Sequence, residues 1–139
     1  MRRVNSEMVL WTLTYVAIEG LLYLSYESRE ASFHWFIHYF AGAVFALLVM
    51  SIYTGINKRP IRLPLLWLLT AHLIAMMPDF LFSILKIAHA RWMDIFMLHV
   101  SSHFIPGRNA TWYVLFLLSL GTYLATVYLV QDNSNTADY

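Results

Sequence analysis

"LPLLWLLTAHLIAMMPDFLFSILK", residues 63–86, is an apolar run that carries a histidine at 72 and an aspartate at 79, directly after Pro78. A run of about 18 or more predominantly apolar residues is long enough, at roughly 1.5 Å per residue, to cross a hydrocarbon core about 30 Å thick. This stretch therefore predicts a transmembrane helix. Pro78 removes one backbone donor and predicts a kink in it.

The rest of the chain agrees. Its 139 residues are 60% hydrophobic, 17% aromatic and 12% charged, with a mean hydropathy of +0.58, whereas a soluble domain carries about 25% charged residues. A net charge of +1 gives no argument for nucleic acid as a partner. The absence of cysteine excludes disulfides, thiolate metal sites and dithiol redox chemistry. The basic start, Arg2 and Arg3, leads into an apolar run too long for a signal peptide, with no small-residue cleavage site after it.

Four spans are predicted, at about 8–25, 33–54, 63–86 and 110–130, with a short interfacial helix at about 95–104 and a polar, mobile tail at 131–139. The predicted fold is all-α: one integral membrane domain over 1–139, arranged as a four-helix bundle. Arg2, Arg3, Lys58, Arg59 and Arg62 place the N-terminus and the 55–62 loop in the cytoplasm by the positive-inside rule. Both termini are then cytoplasmic, in a membrane of the bacterial inner-membrane kind. The 26–32 loop and the 87–109 segment face outward. Membrane lipids are the expected surroundings. A small bundle with a limited interior also suits a homo-oligomer or a larger membrane complex.

Placing the ionisable residues by depth gives the main functional signal. Glu19 and Asp79 lie about 10 Å below the outer boundary. His34 and His38 open the second span from that boundary, and their i, i+4 spacing puts both rings on one helix face. His89, His99 and His103 lie in "HARWMDIFMLHVSSHFIPG", residues 89–107, on the same side. A shared site in the outer half is expected, because an intramembrane charge is costly unless it is paired, faces a cavity or binds a cation.

The individual readings differ. His34 and His38 read equally as ligands or as packing at the mouth of a span. Asp79 reads as a functional residue in preference to a cap on the second half of a broken helix. Glu19 reads equally as a catalytic or a structurally paired carboxylate. His72 is either a neighbour supporting the site or a core histidine. Asp94 reads first as the N-cap of helix 95–104, His89 as a solvated loop residue, and His99 with His103 as ligands sharing a helix face. Imidazole together with carboxylate suits zinc, or iron or manganese where oxygen ligands dominate.

"AHLIAMMPDFLF", residues 71–82, followed by histidines at 89, 99 and 103, resembles the small membrane-bound metal-dependent hydrolases of the YdjM type. Pro78-Asp79 matches that family's Pro-Asp and the 89–103 segment its histidine-rich loop, over about a quarter of the chain. Phe80 and Leu81 stand where the family has a second aspartate and a histidine. The resemblance implies a metal-dependent hydrolase.

On either ground the first expectation is a hydrolase of a lipid or lipid-linked substrate at the outer leaflet. His34, His38, Asp79, His99 and His103 would hold a divalent ion, zinc foremost, whose water would have a pKa of about 7. Asp79 and Glu19 are the catalytic candidates, with His72, His89 and Asp94 around them. Two alternatives stand beside it. One is a haem b protein with His38 and His99 as axial ligands. The other is a non-enzymatic, proton-conducting subunit with Glu19, Asp79 and His72 as its relay.

Overall fold

The break inside residues 63–86 organises the molecule. The computed structural model describes residues 6–136, so Arg2 and Arg3 lie outside the described residues. It is all-helical: α1 (Ser6–Glu27), α2 (Ser32–Asn57), α3 (Pro64–Ala75), α4 (Met77–Leu85), a 3₁₀ turn at Arg91–Ile95, α5 (His99–Ser102) and α6 (Asn109–Thr136). Helices α1, α2 and α6 are long and apolar enough to cross a membrane, and α3 with α4 makes a fourth candidate if the pair is one span. The two halves meet at 45°. Pro78 explains the break. With no N–H it cannot donate to the Ile74 carbonyl, which interrupts the helical ladder, while the Met76 N–H still bonds the His72 carbonyl at 2.9 Å and closes α3.

Helix α2 is the central element, packed against α6, α3 and α1. Ile37, Ala41 and Val44 meet Trp112 of α6, and further along Leu47 and Met50 meet Tyr123. On another side of α2, Gly42 lets α3 come close. A Cβ at Gly42 would lie 2.8 Å from the Ala71 carbonyl oxygen and 2.9 Å from the His72 backbone nitrogen.

Helix α1 reverses the pattern of a water-soluble helix. Leu10, Leu13 and Leu21 are exposed, while its buried residue is Glu19. Its inward stripe is polar. Glu7 pairs with Arg62, the Tyr15 and Tyr39 hydroxyls bond at 2.8 Å, Glu19 meets His72, and the Tyr26 hydroxyl reaches Asp79. At 100° per residue these four positions fall within about 120° of one another. The exposed leucines suit a lipid-facing surface, and α1 meets α2 and α3 through these polar contacts and through Tyr23, whose ring packs edge-on against Trp35 and Phe36.

Two predicted elements change. The helix expected over 95–104 is instead the 3₁₀ turn followed by the single turn α5. Met97 and Leu98 between them have φ of 55° and 59°, a left-handed conformation that costs a non-glycine residue about 1 kcal/mol or more. The polar tail expected from 131 begins as a continuation of α6 to Thr136.

Gly42→Ala is expected to force α2 and α3 apart and to lower stability by about 1–3 kcal/mol. The thermal midpoint in detergent, compared with that of Gly121→Ala, where a Cβ meets nothing within 4 Å, checks this.

Candidate metal centre

Asp79 sits in the first turn of α4, but its side chain does not cap that helix. The broken geometry turns it inward onto imidazoles from three parts of the chain. His38 Nε2 lies 3.2 Å from Oδ2, while His89 Nε2 and His99 Nε2 lie 3.1 and 3.4 Å from Oδ1. The Tyr26 hydroxyl donates to Oδ2 at 2.6 Å. The three rings form a stack. His38 and His99 are 4.3 Å apart and 8° from parallel, and His99 and His89 are 5.1 Å apart and 5° from parallel.

The span break also orients His99. An uninterrupted helix would use the Ala75 carbonyl to accept the Asp79 N–H. Here the Asp79 N–H turns to Met76, and the Ala75 oxygen lies 2.8 Å from His99 Nδ1. A carbonyl only accepts, so Nδ1 carries a proton, and Nε2 is left facing a carboxylate oxygen. His38 Nε2 and His99 Nε2 are both buried without a hydrogen-bond partner, despite their closeness to Asp79. Buried ring nitrogens facing a carboxylate need a proton or a cation between them, and a cation can serve both rings at once.

Two sets of groups bring ligand atoms within 4.8 Å of one another: His38, His99 and His103, and Asp79, His89 and His99. His103 follows α5 as its C-cap. Burial, reinforced by the rings of His38, His34 and His99, pushes the His103 imidazole down to about 4. It is therefore neutral at physiological pH, as a metal ligand must be. His34 stands at the rim, its ring 5.0 Å from that of His103.

The residues expected to converge thus divide. Asp79, His38, His99 and His103 come together with His34 beside them. Glu19 does not join them. Its Oε2 lies 2.8 Å from His72 Nδ1, a pair within the membrane helices, so His72 supports Glu19 rather than Asp79. Of the two readings of His72, support for Asp79 assumes an unbroken helix, and the turn at Met76 removes it. His89, expected to be solvated, is half-exposed and bonded to Asp79. Tyr26 was not singled out from sequence. Its position at the outer end of the first span was the available signal, but tyrosine is common at that depth for interfacial reasons alone.

Asp94 does serve α5, though from within the 3₁₀ turn and not as its N-cap, which is Leu98. Its carboxylate accepts the Ser101 backbone N–H at 2.8 Å and the Ser101 hydroxyl at 2.7 Å. These bonds hold its carboxyl below the usual aspartate range. No protein-family model, curated protein or solved structure matches the chain.

Asp94→Ala is expected to cost about 0.5–1 kcal/mol of local stability and to speed amide exchange at Ser101. Because the folded carboxyl titrates lower than the unfolded one, this contribution is present above about pH 4 and fades as pH falls through the depressed value. Hydrogen exchange at Ser101 across that range measures it.

Proposed function

We propose that the chain is a membrane-embedded, metal-dependent hydrolase. One divalent ion, zinc foremost, is held by His38, His99, His103 and Asp79, and the substrate is a lipid or a lipid-linked ester. The observation that carries this reading is the pair of buried, unpartnered nitrogens, His38 Nε2 and His99 Nε2, facing one carboxylate. Three imidazoles and a carboxylate are a donor set for zinc. A divalent ion bound there supplies Lewis acidity and makes water a nucleophile near neutral pH.

The chain's own groups take the remaining roles. Tyr26 donates to Asp79 Oδ2 and fixes the carboxylate. The Ala75 carbonyl fixes the His99 tautomer. His89, half-exposed and bonded to Asp79 Oδ1, is the group placed to accept a proton from water. Glu19, engaged by His72, takes no part. The resemblance of residues 71–103 to YdjM-type hydrolases favours the same reading. In this proposal the four spans form a bundle, with both termini cytoplasmic and the centre toward the outer leaflet.

The geometry disfavours haem. Axial imidazoles approach iron from opposite faces with the macrocycle between them, whereas the His38 and His99 rings stack directly at 4.3 Å.

Elemental analysis of detergent-purified protein is expected to find about one zinc, iron or manganese per chain and the absorbance spectrum to lack a Soret band. His99→Ala, with correct folding verified by circular dichroism, is expected to lose the ion. Background metal in the wild type, or full retention in both His99→Ala and His38→Ala, would overturn the proposal. Tyr26→Phe is expected to keep the fold and weaken metal affinity about 10–100-fold, as a competing chelator would read it.

A further inference from the structure

Beside the histidine cluster is a cavity of about 190 Å³ whose lining joins Asp79, His89 and His34 of the cluster to Tyr26, Arg29 and Ser83. Arg29 lies in the turn between α1 and α2, which is tied by backbone bonds from Arg29 N–H to the Tyr26 carbonyl at 3.1 Å and from Ala31 N–H to the same oxygen at 2.9 Å. The residue that donates to Asp79 through its hydroxyl thus also anchors, through its carbonyl, the turn carrying the guanidinium. Glu27 and Glu30 are close to Arg29 in sequence, yet among the described residues no carboxylate comes within ion-pair distance of it.

A guanidinium without an ion-pair partner and the proposed cation site, in the lining of one cavity, make it complementary to an anion with several oxygens. A neutral carboxylic ester has no charge for Arg29 to meet before cleavage; a phosphate ester does, and guanidinium matches its geometry in a fork. We propose that this cavity binds the phosphate group of a phosphate ester, with Arg29 as the binding residue beside the proposed metal centre. The inference rests on the metal-dependent hydrolase reading and names its substrate class. Hydrolysis forms a P–O bond from water and breaks the P–O bond to the alcohol. The proton lost by the attacking water ends on the departing alkoxide, which leaves as the alcohol.

The test uses full-length protein in detergent, with metal content measured separately by elemental analysis. Binding is titrated with inorganic phosphate and with bicelles of phosphatidic acid, against phosphatidylcholine bicelles as background, for the wild type, Arg29→Gln and Arg29→Lys. The expected result is saturable phosphate binding that Arg29→Gln weakens about tenfold to hundredfold at unchanged metal content and thermal midpoint, with Arg29→Lys intermediate. Tighter binding of phosphatidic acid than of inorganic phosphate assigns the ester to a lipid; equal binding assigns it to a soluble molecule. Metal retained with equal phosphate affinity in wild type and Arg29→Gln, or with no phosphate binding, overturns this inference and leaves the metal centre standing. A metal-free wild type overturns both.

Discussion

The interruption at Met76–Pro78 is the constraint on which the polar interior depends. One missing N–H, at Pro78, ends α3, and the new helix direction carries Asp79 into the protein. The same interruption releases the Ala75 carbonyl from the helical ladder, and that oxygen then holds His99. A single covalent property of proline therefore both aims the carboxylate and orients an imidazole facing it. A continuous helix would supply neither, because its carbonyls would be consumed and its residue 79 would lie on a different bearing.

Around that interruption, position is secured at a cost in backbone strain. Met97 and Leu98 sit in the left-handed region immediately before His99. The cost is offset locally, since the Asp94 carboxylate takes the Ser101 amide and the Asp94 carbonyl takes the Leu98 amide at 2.8 Å. A regular helix through these two residues would send the His99 side chain elsewhere. The chain between α4 and α6 thus behaves as a shaped support for His89, His99 and His103, and its outer residues Trp92, Ile95 and Phe104 remain exposed.

Hydropathy was enough to locate the membrane helices, and Pro78 announced its kink, because both signals are local to the chain. The grouping of His38, Asp79, His99 and His103 was legible from depth along each helix. What depth cannot provide is rotation about the helix axis. Helices in lipid are apolar all round, so periodicity does not reveal which side faces inward. Glu19 and Asp79 were therefore assigned to one layer without any means of seeing that Glu19 turns to His72. His89 was placed on the same side as the site, but its bond to Asp79 was not foreseen, because it reaches that residue through an irregular loop whose path is set by tertiary contacts. Tyr26 was hidden by the ordinariness of tyrosine at an interface.

The polar stripe of α1 has a consequence for how the membrane protein assembles. Glu7, Tyr15, Glu19 and Tyr26 find their partners at Arg62, Tyr39, His72 and Asp79, mostly on segments synthesised well after α1 itself. Until α3 emerges, a Glu19 already in the bilayer has no His72, and an isolated acid among acyl chains is expensive. Helix α1 is thereby made before the helices that complete its seat. Four partners at four depths also leave it one acceptable register, since a slide of a single turn would break every pair together. Order of arrival and vertical alignment are both written into residues that a hydropathy profile treats as blemishes.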